Sequence, residues 1–210
     1  MAHCVEEEVN ADAAVLSFHA VKMLTGGEGG MILTNRKDVY EYVKGYVNLG
    51  RTRGRRCEMN GNNYKMSEIT AAFVLSGMDF LGEQIEHGVW IYERYYDFVE
   101  NQLERWVMYI PEDEQHGLWS FSGYLCPLVV DVPREIVEGR LLHDYGVETF
   151  AGYSRYVPTD EPFFNGEVIS DRLGKWLSRH VVFLPCHYDM NREMLNKVCN
   201  ALKELEEKLK

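Results

Sequence analysis

Two short apolar runs, residues 13–18 and 31–34, enclose the cluster Gly26-Gly27-Glu28-Gly29-Gly30. Runs of that length suit buried strands better than helices. A glycine cluster between strands suits a tight connection built on backbone angles that other residues avoid. It lacks Gly-x-x-x-x-Gly-Lys-Ser/Thr and leads into a strand, whereas a phosphate cradle of the P-loop kind needs a helix N-terminus. Beyond it, Asn35 and Asp38 punctuate a helix through about Gly45, with Val39, Val43 and Tyr46 at helical spacing. Residues 50–63 are polar, basic and glycine-containing, a loop composition. Ser67-Glu68 opens a helix predicted to turn Ile69, Ala72, Phe73 and Ser76 inward. A longer helix is predicted over 84–105, with Ile85, Val89, Tyr92, Tyr96, Val99 and Leu103 on one face. The remainder alternates: a strand at 124–130, a helix from Pro133 to about Tyr145, a short strand at 147–150, a helix at 171–179, a strand at 181–184 and a terminal helix at 191–210. In that last helix Leu195, Val198, Leu202 and Leu205 form the apolar stripe. The pattern is α/β. It divides into a first segment, 1–83, and an α+β segment, 84–210, joined by the long helix.

Composition narrows the function classes. Of 210 residues, 46% are apolar, enough for a sizeable core. Lys+Arg 22 against Asp+Glu 33 gives a net charge of −11, which repels nucleic acid and anionic membrane surfaces. No apolar run approaches the roughly 20 residues of a membrane span. The stretch Met1-Ala2-His3-Cys4-Val5-Glu6 has neither a basic nor an apolar signal region. Five cysteines, Cys4, Cys57, Cys126, Cys186 and Cys199, are odd in number and far apart, against a disulfide framework or a structural zinc site. The expectation is a reduced, cytoplasmic protein without a metal.

Several residues have the chemistry of a site. Ser17-Phe18-His19-Ala20-Val21-Lys22 brings a hydroxyl, an imidazole and an amine to one strand end. A lysine just after a buried strand is placed where desolvation favours the neutral amine, as Schiff-base chemistry requires, although a solvated surface lysine has the same spacing. Arg51, Arg53, Arg55 and Arg56 form a basic cluster in an acidic chain. It reads either as a solvated loop or as a guanidinium clamp for a diphosphate. His180, Cys186 and His187 fit no common zinc spacing. Trp90, Tyr92, Tyr95 and Tyr96 span more than one helix face, which core and dimer packing explains better than ligand stacking.

Taken together, Ser17-Phe18-His19-Ala20-Val21-Lys22-Met23-Leu24-Thr25-Gly26-Gly27-Glu28-Gly29-Gly30 resembles the lysine signature S-F-H-x-x-K-x-[IL]-T-T-G-E-G-G of the DegT/DnrJ/EryC1/StrS aminotransferases. Gly61-Asn62-Asn63-Tyr64-Lys65-Met66-Ser67-Glu68, followed by Ala71-Ala72, is similar to that family's G-Y-N-Y-R-M-[ST]-[ED]. Tyr156-Val157-Pro158 and Leu184-Pro185 are further echoes in the same order. The resemblance implies the aspartate-aminotransferase-like fold of pyridoxal-phosphate enzymes (fold type I). Residues 1–83 would be the C-terminal part of the large cofactor domain, and 84–210 the small C-terminal domain. It implies transamination of a nucleotide-linked keto-sugar with glutamate as amino donor, in polysaccharide or amino-sugar biosynthesis. Lys22 would hold pyridoxal phosphate covalently and then move a proton. Ser17 and Asn63 would contact the cofactor phosphate, Asn63 across a homodimer interface. Arg51, Arg53, Arg55 and Tyr156 are the candidates for the nucleotide-sugar. His19 and Glu28 are expected to support the lysine turn.

The resemblance also marks departures. In the family, a phosphate-binding turn, a stacking aromatic and an Asp paired with the pyridinium nitrogen precede the lysine motif, but only sixteen residues precede Ser17 here. Asp12 sits at the position of an ordinary residue leading into the strand. The chain therefore resembles the C-terminal half of an aminotransferase, with exposed strand edges expected. Gly26 replaces the second Thr of T-T-G-E-G-G, Arg53 replaces a His in R-x-H-G, and Arg155 and Asp160 replace two histidines of H-Y-x-P-x-H. Three readings follow: a split enzyme completed by a separate N-terminal half-chain, a truncated enzyme, or a non-catalytic assembly subunit.

Overall fold

A computed structural model describes residues 11–108, 122–150, 157–168 and 170–210. The chain divides into two compact units, Met1–Gln84 and Ile85–Lys210.

In the first unit, β1 (Ala14–Ser17) and β2 (Gly30–Leu33) pair antiparallel, with Ala14 opposite Leu33 and Ser17 opposite Gly30. Arg36 links the ribbon to the next helix: its guanidinium pairs with Asp12 at 2.8 Å and with Asp38. That pairing gives Asp12 a structural partner. The helix α1 (Lys37–Val47) half-buries Val39, Val43 and Tyr46, the stripe its periodicity predicts. The chain then returns on itself. An isolated bridge joins Asn48 to Asn63, and the Asn62 N–H donates to the Tyr46 carbonyl at 2.8 Å. This ties both ends of the arginine-bearing loop to the end of α1.

The next helix, α2 (Glu68–Gln102), is a single 35-residue rod rather than two predicted segments. No proline interrupts it, and isolated glycines weaken a helix without stopping it. Ser67 Oγ accepts the Thr70 N–H at 3.1 Å and so caps its start. The inward face differs from the one expected: Val74 is buried and Thr70, Gly77 and Leu81 are half-buried, while Ile69 is 85% exposed and Phe73 60% exposed. The cause is the β1–β2 connection, whose Gly26 and Leu24 pack against Thr70, Val74 and Gly77. Close backbone approach selects the side with small and β-branched residues, and the aromatic and long aliphatic side chains turn away.

Among the described residues the second unit has one antiparallel sheet in the order β3 (Val107–Met108), β4 (Cys126–Val129), β5 (Val181–Leu184). Around it lie α3 (Arg134–Tyr145), α4 (Arg172–His180), α5 (Arg192–Leu209) and a 3-10 turn, Pro158–Asp160. The strand predicted at 147–150 is reduced to one bridge, Phe150 to Phe183, because the residues before Phe150 make no ladder. Ile91, Tyr92, Tyr95 and Val99 of α2 join Leu128, Leu141 and Leu184 in the core. Leu195, Val198, Leu202 and Leu205 of α5 are buried there, as their spacing predicts. Two polar side chains in this core find partners, whereas the buried Trp106 indole N–H has no hydrogen bond among the described residues: the Tyr95 hydroxyl donates to the Pro185 carbonyl at 3.0 Å. Buried Glu206 accepts the N–H groups of Glu104 and Arg105 at 2.8 and 2.9 Å, which stops its carboxylate from being an unpaired buried charge.

Candidate active site

The chain that connects β1 to β2 is organised around Phe18, which is buried. Its N–H donates to the Gly29 carbonyl at 2.9 Å, and its own carbonyl accepts from the Gly26 N–H at 2.8 Å and the Thr25 hydroxyl at 3.2 Å. Thr25 Oγ1 in turn accepts the Gly27 N–H at 2.9 Å. Within this frame the Lys22 N–H donates to the His19 carbonyl at 2.9 Å, closing a turn that carries the lysine. Ser17 Oγ accepts the His19 N–H at 3.4 Å from the strand side of the same turn. Lys22 and Ser17 are both half-buried, accessible to a ligand yet partly desolvated. The His19 ring lies 3.8 Å from the exposed Glu28 carboxylate, a screened contact whose contribution to stability is small. The structure thus brings Ser17, His19, Lys22 and Glu28 to one connection, and the support comes mainly from backbone hydrogen bonds rather than from the imidazole.

Two glycines fit this connection to α2. A Cβ on Gly26 would lie 2.8 Å from the Cγ2 atoms of both Thr70 and Val74, closer than real Cβ contacts come. The replacement of the family's second threonine by Gly26 therefore has a local reason, since the turn rests directly on the helix. Gly29 has φ +133° and approaches the Met66 methyl, a conformation that L side chains rarely adopt. Thr25 and Met66 entered the sequence reading as motif members without a role, and Thr70 and Val74 were not named there. The signal for the last two was the i, i+4 spacing opposite the glycine run.

The other candidates occupy the returning segment. Asn63 is exposed, its side-chain oxygen accepting from Lys65 Nζ at 2.7 Å and its backbone paired with Asn48. Arg51 is half-buried with its Nε enclosed, while Arg53, Arg55 and Arg56 are exposed. The loop that carries them is drawn together by the Glu58 N–H donating to the Gly50 carbonyl at 2.8 Å and by a Thr52 hydroxyl to Glu58 carboxylate contact. Tyr156 lies outside the described residues, as do Arg155 and Cys4. Among the described residues no group of three or more His, Cys, Asp or Glu is placed to hold a metal ion, and no helix is long and apolar enough to cross a membrane. His180 stacks on Trp176 with ring centroids 4.3 Å apart, and Cys186 reaches the Tyr124 carbonyl at 3.3 Å. Tyr92 and Tyr95 of the aromatic stripe are core residues, and burial pushes both phenols well above their ordinary range.

Known structures share this architecture. The aminotransferase TlmJ from Streptoalloteichus hindustanus superposes with a TM-score of 0.81 at 22% identity, over 94% of this chain and 53% of that one. A dTDP-4-amino-4,6-dideoxy-D-glucose transaminase of Shigella dysenteriae is 25% identical over 199 residues, 93% of this chain and 53% of the relative. A UDP-4-amino-4,6-dideoxy-N-acetyl-beta-L-altrosamine transaminase of Campylobacter jejuni is 24% identical over 95% of this chain and 54% of the relative. The chain spans about half the length of the curated relatives it matches. The fold is that of the fold type I aminotransferases, present as a partial large domain and a smaller α+β unit. The family model matches residues 9–203, and the chain belongs to the DegT/DnrJ/EryC1/StrS aminotransferase family.

Proposed function

We propose that the chain is the lysine-bearing half of a pyridoxal-phosphate aminotransferase that aminates a nucleotide-linked keto-sugar, with glutamate as donor, in the cytoplasm. The observation that carries the reading is the hydrogen-bonded turn holding Lys22 between Ser17 and the glycine run, fitted to α2 by Gly26. The relatives support the substrate class: one is named for a dTDP-sugar and another for a UDP-sugar, so the sugar is the common element and the nucleotide is not fixed. Residues 1–83 are read as the end of the large cofactor domain and 84–210 as the small domain.

The donor set fits two parts of the cofactor. Pyridoxal phosphate, when bound, supplies the electron sink that stabilises charge on the carbon losing a proton. Lys22 would hold the aldehyde end through its amine, and the same amine would be the group placed to take up and return a proton at the reacting carbon. The Ser17 hydroxyl and the Asn63 amide would donate to the phosphate, Asn63 serving the partner's site in a homodimer. Arg51, Arg53 and Arg55 clamp the diphosphate of the nucleotide-sugar by paired N–H donors, and Tyr156 lines the same substrate. For the pyridinium end, Asp12 is already engaged by Arg36. The acid for that end is read as coming from a separate N-terminal half-chain. The exposed Ile69, Phe73, Leu75 and Phe80 on α2 favour such a partner, since an apolar surface of that extent invites cover.

Titration with pyridoxal phosphate, borohydride reduction and peptide mass spectrometry test the reading, with Lys22→Arg as control for surface lysines. One label per chain at Lys22, with or without a co-purified N-terminal half, is the expected result. Diffuse labelling equal to the control in both preparations overturns it. Replacing Arg53 and Arg55 by Ala weakens binding of a nucleoside diphosphate in the competent assembly; unchanged affinity removes the clamp.

A further inference from the structure

We propose that Tyr42, Tyr46 and Tyr64 form the platform on which the base of the nucleotide-sugar stacks, beside the arginine loop that holds its diphosphate. The inference rests on the reading of that loop as a diphosphate clamp and adds the other half of a nucleotide site. Tyr42 and Tyr46 stand four residues apart on α1 and so share a face, their rings inclined by 14° with centroids 6.1 Å apart. Tyr64 comes from the returning segment and continues the row, its ring centroid 6.2 Å from that of Tyr46 and its plane tilted by 45°. Hydrogen bonds fix this meeting. The Tyr64 N–H donates to the Val47 carbonyl at 3.0 Å and the Asn62 N–H to the Tyr46 carbonyl at 2.8 Å. The Asn62 side-chain amide also donates to the Tyr46 hydroxyl at 3.4 Å. The row is held in place, yet it is not core: Tyr42 is 60% exposed and Tyr64 66% exposed, on either side of the half-buried Tyr46.

The clasp that aligns the row also closes the arginine loop. The Leu49 N–H donates to the Asn62 carbonyl at 3.1 Å, and the Arg51 N–H donates to the Asn48 carbonyl at 3.1 Å, so the first arginine leaves the chain beside Tyr46 and Tyr64. Among the described residues, Arg51, Arg53, Arg55 and Arg56 have no carboxylate partner, and the enclosed Arg51 Nε has no hydrogen bond. The loop's one acid, Glu58, is engaged by the Thr52 hydroxyl. Unpaired guanidinium groups in a chain of net charge −11 make a local site for an anion. An exposed aromatic row makes a site for a flat ring, which stacks on it and displaces water from both faces. A nucleoside diphosphate carries a flat base and an anion in one molecule, joined by a ribose. Its base lies against Tyr64, the ring nearest the clasp in sequence, with Tyr46 and Tyr42 behind it. Stacking uses the face that every base has, so the row binds a base without fixing which one.

The test is equilibrium dialysis of the full chain, with the N-terminal half where one co-purifies, against UDP, dTDP and inorganic pyrophosphate. UDP and dTDP are expected to bind with similar affinity, each tighter than pyrophosphate. Tyr64→Ala should weaken UDP binding roughly tenfold, the scale of one base–aromatic stack, and leave pyrophosphate binding unchanged. Tyr64→Phe should keep the UDP affinity, because the ring remains; Tyr64 is exposed, so neither change removes a core side chain. Arg53→Ala with Arg55→Ala should weaken both ligands. UDP binding no tighter than pyrophosphate overturns the proposal, as does UDP affinity that survives Tyr64→Ala. If that same variant changes the sedimentation of the protein while UDP affinity stays, the row is an interface between copies and the proposal falls. Pyrophosphate binding that survives the arginine replacements removes the clamp, whereas pyrophosphate binding lost with them, beside UDP binding indifferent to Tyr64, removes the platform alone. Labelling at Lys22 needs no nucleotide, so the platform and the aminotransferase reading fail separately.

Discussion

In Ile85–Lys210, Tyr95, Leu128, Leu141, Leu184 and Leu202 each expose under 2% of their surface, whereas the buried apolar side chains of Met1–Gln84, among the described residues, are Phe18 and Val74. Apolar content is not what separates them. The first unit has Val15, Met31, Ile32, Ile69, Phe73, Leu75, Met78 and Phe80, and exposes them all by more than two-fifths. Among the described residues the first unit is a two-stranded ribbon with α1 and the start of α2, with no larger sheet to close a core around, and a two-stranded ribbon is marginal alone. The second unit has, among the described residues, three strands with helices to cover them. The difference teaches that the lysine turn is locally well hydrogen-bonded but rests on an element whose other face is open. Its local order comes from backbone bonds and glycine fit, and its global stability is expected from a covering polypeptide.

The sharpest way to break that comparison is truncation on each side of it. Leu128→Ala removes a fully buried side chain from the second unit and should cost about 2–5 kcal/mol in urea unfolding. Phe73→Ala, on the open face of α2, should cost no more than ~0.5 kcal/mol in the chain alone. Adding the N-terminal half of a relative should raise the Phe73→Ala cost toward ~3 kcal/mol, the scale of a buried aromatic. Equal costs in the isolated chain would mean that the first unit has already closed a core of its own.

The same contrast governs how much was legible in the sequence. The stripe Leu195, Val198, Leu202, Leu205 read correctly because α5 packs on its own unit, so amphipathic period and burial agree. The stripe Ile69, Ala72, Phe73, Ser76 read wrongly because hydrophobicity marks where a helix is eventually covered, and inside this chain the covering element is a glycine-rich turn that selects Thr70 and Val74. The lysine turn was legible as a motif, whereas its docking on α2 was not, since the i, i+4 pair carries no chemical signature.

Gly26→Thr restores the residue that the family signature has and so probes the turn directly. A Cβ there meets Thr70 and Val74 at 2.8 Å, so the turn must lift from the helix, at a cost of about 1–3 kcal/mol borne by the first unit. Hydrogen exchange should show faster exchange at the Phe18 and Gly26 amides, with protection in α5 unchanged. Labelling at Lys22 by pyridoxal phosphate and borohydride should fall in parallel. Unchanged protection at Phe18 would mean that the helix yields instead, and that the close fit does not hold the turn.

The smallest effect compares the two units through the same device. Asn191 caps α5 by accepting the Met194 N–H at 2.9 Å, and Ser67 caps α2 by accepting the Thr70 N–H at 3.1 Å. Each cap is worth about 1 kcal/mol to the helix it starts, because it satisfies one of the orphan N–H groups of the first turn. Asn191→Ala should appear at nearly full size in global unfolding, since α5 cannot fray without opening Leu195 and Val198 to water. Ser67→Ala should appear chiefly as faster exchange in the first turn of α2, because that turn can open without exposing a closed core. A full-size global effect from Ser67→Ala would show that the start of α2 unfolds together with the second unit, and would erase the energetic difference between the two regions.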